Sequence, residues 1–432
     1  MGIASDNSNK SGFFKVLYDG MIFHRQKAGG INRYFEKLID YLPESVEPSM
    51  TLSRFPNQNF PKSERLKLFI ESFNLPKPFR KVSRAIRASR LELVRKNIAP
   101  DLIHATYYDT LGGFEKISNG PPFVVTVHDM THEKFPNLLD RHGRHAELKK
   151  RAIKKADAII CVSHHTKCDL LELFPECESR TRVIYHATEL GDVLPDDTMP
   201  KPDRPYVLYV GSRSRHKNFD GLLRAFRIAI SRDDELQLRT VGSEFSKEEK
   251  HQILDLGLDK HLINHGIVDD RELAQLYRRS LCFVYPSFYE GFGLPLLEAM
   301  SCETPVLAAN NSCIPEVVRD AALLFDPNSK TDLADALTFM FRNPCVREQL
   351  VKEGRTRCRE FSWEKSAWET LKAYEMAIAA TRIRTGNRMS THHFDDVNMQ
   401  VQPNWIASTT KQLSQANLLM SLFKRNSMDV HS

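Results

Sequence analysis

The side chains best placed to do chemistry gather in one stretch, Tyr285 to Pro305, reading YPSFYEGFGLPLLEAMSCETP. Two carboxylates, Glu290 and Glu298, stand with seven residues between them. Gly291 and Gly293 lie just after the first acid, and glycines so placed let backbone N–H groups come close to a ligand. Pro295 suits the first helical position, and the pattern predicts a helix to about Ser301. A strand over Leu281–Tyr285, a glycine turn and a helix N-terminus together make an anion site, because unpaired N–H groups and the helix dipole point the same way. The backbone N–H groups of Phe292, Gly293 and Leu294 are the candidate donors. Glu298 has apolar neighbours (Leu296, Leu297, Ala299 and Met300), which argues against a merely solvated helix position. Two glutamates could also act as acid and base on a glycosidic bond. Their place on one loop and helix beside a phosphate cradle favours ligand holding instead.

Cations for such an anion follow an earlier strand. Tyr206–Val210 reads as a strand, and GSRSRHKN after it carries Arg213, Arg215 and Lys217. The chain has no DxD carboxylate pair of the kind that holds a metal-bound diphosphate, so fixed cations and N–H dipoles are the expected charge neutralisers, with no metal and no cofactor. Three basic residues in a loop are more often just solvated; their position at a strand's C-terminal end raises the functional reading. His128 closes the strand Phe123–Val127, where ligands bind in open α/β sheets, and His132 is a weaker second candidate. Gly29-Gly30 precedes an amphipathic helix through Leu42, a second potential phosphate cradle or a plain tight turn.

A chain of 432 residues predicts two or three domains with ample core to hold these side chains. Hydrophobic content of 41% and charged content of 27% are those of a soluble globular protein. A net charge of +6 allows phosphates or anionic lipid as partners and does not call for nucleic acid. Eight scattered cysteines without a CxxC pair argue against zinc and disulfide frameworks and for a reducing cytosol. No signal peptide or spanning stretch is visible, and Asp6 spoils an otherwise myristoylation-like MGIASD. Strands alternate with helices in both halves, which predicts an α/β protein of two Rossmann-like, doubly wound domains facing a cleft. The expected boundaries are a disordered 1–12, a first domain over 13–189, a Pro/Asp-rich linker over 190–205, a second domain over 206–361, a closing helix over 362–379 and a disordered tail over 380–432, with a weak amphipathic patch at Leu418–Phe423. Residues 77–97 predict a basic amphipathic helix, with Phe79, Val82, Ile86 and Leu93 on one face; it could rest on anionic membrane or be a solvated face packed on the core.

The EGFGLPLLEAM segment resembles the EX7E signature of the retaining GT-B glycosyltransferases of family 4, and the resemblance runs from about Phe13 to Ile378. It implies a GT-B fold and a hexosyltransferase acting on a nucleotide diphosphate sugar. It implies that Glu298 takes the ribose, Glu290 the donor sugar, and the 292–294 amides the sugar and phosphate. Gly29-Gly30 matches the family's N-terminal glycine loop, VTVHDMTHEKFP its histidine segment, and YVGSRSRHKNF its Arg/Lys phosphate segment. Lys217 matches best there. The family arginine lies five residues earlier, at Ser212 here, so Arg213 and Arg215 both remain candidates. The block from Tyr285 to Pro327 looks most like members using GDP-mannose or a related GDP-sugar in polysaccharide or O-antigen assembly, despite Glu303 and Arg319 where glycine is common. The implied acceptor is a glycan or lipid-linked sugar, met in the cytoplasm or at the inner membrane face. A UDP-sugar donor and a non-catalytic sugar-nucleotide-binding scaffold are the alternatives. A nicotinamide-dependent dehydrogenase fits less well, because GGINRY lacks the GxGxxG pattern.

Overall fold

The computed structural model describes residues 14–26, 29–52, 60–70, 80–109, 120–140, 142–196, 198 and 201–385. The expected disordered N-terminus, residue Phe79, the tail from 386 and the Leu418–Phe423 patch lie outside these. The first sheet has seven strands: β1 Phe14–Tyr18, β2 Val46–Leu52, β3 Lys67–Ile70, β4 Leu102–Ala105, β5 Phe123–Val127, β6 Ala158–Cys161 and β7 Thr181–Val183. Their order is β3-β2-β1-β4-β5-β6-β7. The second has six: β8 Tyr206–Val210, β9 Gln237–Val241, β10 Leu262–Asn264, β11 Cys282–Tyr285, β12 Val306–Ala309 and β13 Ala322–Phe325, in the order β10-β9-β8-β11-β12-β13. Every pairing is parallel. Short, continuous apolar runs such as FVVTV, AIIC and VLAA form the interior strands, since both faces are covered by helices.

β2, β3 and β13 carry weak local strand signals. Pro48 interrupts VEPSMTL in β2, which nonetheless pairs with β1 through Val16↔Pro48 and with β3. β3 is a partly exposed edge, and β13 is a four-residue run. Both sheets change direction at a switch point, β1/β4 in the first and β8/β11 in the second. In open parallel sheets the crevice outside the C-terminal strand ends at such points receives ligand.

One hydrophobic core continues through both domains, from Val16 and Tyr18 to Phe226 and Leu337. The closing helix Trp363–Thr385 starts one residue later than expected and runs on past 379. It returns to the first domain: the Tyr374 and Tyr18 hydroxyls lie 2.9 Å apart, and His104 Nδ1 lies 2.8 Å from the Tyr374 oxygen. Ser366 Oγ also donates to the Tyr185 carbonyl at 2.5 Å. Among the described residues no helix is long and apolar enough to cross a membrane.

Candidate functional site

Loops leaving β8 and β11 build the second-domain wall of the cleft. Tyr209 donates its hydroxyl to the Ser212 carbonyl (2.6 Å), curling the first loop. The Phe288 N–H donates to the His216 carbonyl (2.7 Å), joining the two loops directly. Asn218 stands at the N-cap position of the helix Phe219–Ile230. It sits in the left-handed region and its side chain donates to the carbonyls of Pro286 (3.1 Å) and Pro327 (3.0 Å), with no cap hydrogen bond. Asn tolerates that backbone better than other non-glycine residues.

These stitches bring Lys217 and Glu290 together. Lys217 Nζ donates to both carboxylate oxygens of Glu290, each at 2.7 Å. The pair is about one-fifth and one-tenth exposed, so the charges meet at the cleft surface rather than in bulk water. Gly293 then takes φ 90°, a conformation that favours glycine, and starts the helix Leu294–Ser301. Pro295 stands at the second helical position rather than the first. A Cβ at Gly293 would sit 2.8 Å from Leu296 Cδ1, a side-chain tip, so the backbone conformation rather than space calls for glycine there.

Glu298 points inward from that helix and is buried. Burial pushes its carboxyl above the usual range, while the Arg33 guanidinium opposes the rise. Arg33 Nη1 donates to Oε1 and Tyr277 Oη to Oε2, both at 3.2 Å. Arg33 comes from the other domain, in the first turn of the helix Gly30–Asp40, and also pairs with Asp270. Gly29 and Gly30 are exposed at that helix's start, which has no side-chain cap.

The candidate arginines diverge. Arg213 is turned into its own domain: Nε donates to Glu249 at 2.8 Å and Nη2 to the carbonyls of Ser243 and Glu244 at 2.7 and 2.8 Å. Its guanidinium also stacks over Phe245 and lies over Phe219. Arg215 is exposed in the 3-10 turn Arg215–Lys217. The Arg213 guanidinium is thus engaged within its own domain, while Arg215 is exposed.

His128 ends β5 and faces the glycine loop. Burial drops its imidazole to about 4, so it is neutral at pH 7. Its Nε2 is buried with no hydrogen-bond partner among the described residues. Its ring stacks on His186 at 6.0 Å between centroids. Phe292 packs edge-on to His186 from the second domain. His132 lies farther along and stacks on His145 at 3.7 Å.

The two walls touch. A Cβ at Gly291 would fall 1.8 Å from the His128 carbonyl oxygen, so only glycine permits this approach. The Gly291 carbonyl accepts from Ser163 Oγ (2.6 Å) and Thr166 Oγ1 (3.0 Å). Tyr289 donates to Asp169 (2.5 Å) and accepts from the Met130 N–H (3.3 Å). Glu316 accepts the His164 and His165 N–H groups at 2.7 and 3.0 Å, capping a first-domain helix from the second domain. Arg33, Tyr277, Tyr289 and Glu316 are contributors that sequence reasoning did not single out. Each acts across a distance of more than a hundred residues or through burial, and neither leaves a local pattern.

Residues 28–191 match the family model described as Glycosyltransferase Family 4, and residues 194–357 match Glycosyl transferases group 1. O-antigen chain mannosyltransferase B of Escherichia coli is 30% identical over 267 residues, covering 59% of this chain and 70% of that protein. MMP alpha-(1->4)-mannosyltransferase of Mycolicibacterium hassiacum is 27% identical over 373 residues, covering 78% and 88%. Among solved structures, sucrose-phosphate synthase from Thermosynechococcus elongatus superposes with TM-score 0.68 at 23% identity, over 85% of this chain and 99% of that one. Anabaena HepE in complex with UDP and glucose superposes with TM-score 0.66 at 16% identity, over 84% and 99%. The chain belongs to the family 4 (group 1) glycosyltransferases and has their GT-B fold.

Proposed function

We propose that the chain transfers a hexosyl group, with retention, from a nucleotide diphosphate sugar to a glycan or lipid-linked acceptor in polysaccharide or cell-surface glycan synthesis. The observation that carries the reading is the Lys217–Glu290 pair, held at 2.7 Å where the β8 and β11 loops meet the cleft. In this reading Lys217, Arg215 and the N–H groups of residues 292–294 neutralise the diphosphate, with the exposed Gly29-Gly30 turn facing it from the first domain. Glu290 releases Lys217 and takes donor-sugar hydroxyls. Glu298 accepts the ribose hydroxyls. Neutral His128, with a nitrogen to spare, hydrogen-bonds the transferring sugar. The bond from the anomeric carbon to the diphosphate breaks and the diphosphate keeps the electron pair. An acceptor hydroxyl bonds to the same face, and its proton passes to the departing phosphate oxygen. Charge neutralisation by fixed cations fits metal-independent binding. A GDP-mannose-type donor is supported by the sequence of the 285–327 block and by the two mannosyltransferase relatives.

The test is calorimetric titration with GDP, UDP and ADP, each with and without EDTA, followed by donor hydrolysis. The expected result is GDP binding that ignores EDTA. UDP preference would replace the donor and keep the chemistry; binding of none would leave a scaffold. The basic helix Arg80–Ile98 exposes Val82 and Leu93, which supports docking on anionic membrane. Co-sedimentation with phosphatidylserine vesicles but not phosphatidylcholine vesicles is the expected outcome, and equal recovery in both pellets would refute it.

A further inference from the structure

Glu298 belongs to the second domain, yet the cation facing it comes from the first. Its Oε1 accepts from Arg33 and its Oε2 from Tyr277, each at 3.2 Å. Tyr277 is fully buried and uncharged. The Arg33 side chain is 18% exposed and the Glu298 side chain 7%, so this is a nearly dry ion pair that exists only while the domains are together. Asp270, the second partner of Arg33, is 57% exposed and lies on the rim. A carboxylate has about four acceptor positions. Arg33 and Tyr277 each use one, on different oxygens, so one position remains on each oxygen. Two adjacent acceptors on one carboxylate are what a vicinal diol requires.

We propose that Arg33 is a positioning residue for donor recognition: reaching across the cleft, it orients Glu298 and balances its charge so that the two remaining lone pairs accept the 2′- and 3′-hydroxyls of a ribonucleotide. The proposal rests on the donor-site reading above. It adds that the first domain supplies part of the ribose site, so the diol is recognised fully only when the cleft is closed. Removing the guanidinium would leave Glu298 buried without its counter-charge, and a buried carboxylate in that position escapes by protonation or by turning away.

The experiment compares GDP with 2′-deoxy-GDP by calorimetry on the full chain, replacing them with the UDP or ADP pair if one of those binds more tightly. Wild type is expected to prefer the ribonucleotide about tenfold, as for one lost hydrogen bond to a charged group. In Arg33→Gln the preference should fall to about one, through weaker binding of the ribonucleotide. Arg33→Lys, which keeps a charge in reach, should recover a preference of at least threefold. Asp270→Asn should keep the full preference, because Asp270 touches Arg33 and not the diol. A full preference in Arg33→Gln, or its loss in Asp270→Asn, would overturn the role of Arg33 while leaving the donor site standing. No preference in wild type would remove Glu298 from the ribose site and take both readings with it. A circular-dichroism melt of each variant, with Arg33→Lys as the second variant, separates these outcomes from misfolding.

Discussion

Replacing Gly291 by alanine should cripple turnover while sparing the fold. A Cβ there would meet the His128 carbonyl oxygen at 1.8 Å, the His128 carbonyl carbon at 2.8 Å and Asp129 Cα at 3.0 Å, all of them first-domain backbone. Carbon–oxygen contacts settle near about 3.3 Å, so the walls must part by about 1.5 Å at this point. Backbone cannot rotate aside as a side-chain tip would. That displacement carries the Ser163 and Thr166 hydroxyls, now 2.6 and 3.0 Å from the Gly291 carbonyl, out of hydrogen-bonding range. Two net hydrogen bonds of about 1 kcal/mol each, plus strain on the Met130–Tyr289–Asp169 chain, give a closure penalty of about 2–4 kcal/mol. At about 1.4 kcal/mol per decade, donor-hydrolysis kcat/KM should fall by roughly 30- to 1,000-fold. The assay is steady-state release of nucleoside diphosphate, run beside small-angle scattering and thermal unfolding. The expected variant is more open in solution, keeps the wild-type circular-dichroism spectrum and loses stability by no more than the closure penalty of about 2–4 kcal/mol. Wild-type kcat/KM with an unchanged radius of gyration would refute the claim that this contact limits closure.

Lys217→Ala should weaken GDP binding at least tenfold and leave guanosine binding within about twofold, because the ammonium answers the diphosphate; equal losses in calorimetry would contradict that. Arg213→Ala should cost stability, about 2–3 kcal/mol in urea unfolding, since its largely buried side chain makes three charge-assisted hydrogen bonds, one part-buried and two to exposed carbonyls. Arg215→Ala should leave the urea midpoint alone and raise the donor KM; the reverse pattern would reassign the two arginines. The pH dependence follows from His104 and His128, held neutral by burial at about 3 and about 4. Their unfolded values lie near 6.5, so between about pH 6.5 and pH 4 the unfolded chain binds protons that the folded chain does not. Stability should therefore fall on acidification through that window, by up to about 1.4 kcal/mol per pH unit for each histidine, read by urea titrations at pH 7.5 and 5.0. A flat profile would mean these imidazoles gain protons without unfolding.

The parts of the site written within one segment could be read from the chain. EGFGLPLLEAM encodes its loop, its glycine-demanding turn and its helix locally, so Glu290, Gly293 and Glu298 occupy the expected elements. The alternation of apolar runs with amphipathic helices encodes parallel sheets covered on both faces, and both sheets appear. What stayed hidden depends on partners far off in sequence. Nothing in GSRSRHKN says that Arg213 turns back onto Glu249 and the Phe245 ring, because both come from the segment after β9. Asn218 looks like a cap and instead ties two proline carbonyls, a choice made by the fold around it. Arg33 reads as one more charge on an amphipathic helix until the second domain is placed against it. β2 was masked by Pro48, whose missing N–H argues against a strand flanked on both sides.

The helix Trp363–Thr385 bears on how the chain is made. Tyr18 and His104, in the interior of the first sheet, find their partner hydroxyl on Tyr374. A ribosome releases residues in order, so the half that emerges first waits longest for its missing piece. The second sheet, closed by β13 at Phe325, has all its strands before that helix appears. Maturation thus runs against the direction of synthesis: the early half is sealed by a late segment, and a nascent chain halted at Phe361 would leave the Tyr18 hydroxyl and His104 Nδ1 without the Tyr374 oxygen, while His104 Nε2 keeps its contact with Thr126 Oγ1. The first domain is therefore completed only after every strand of the second has been made.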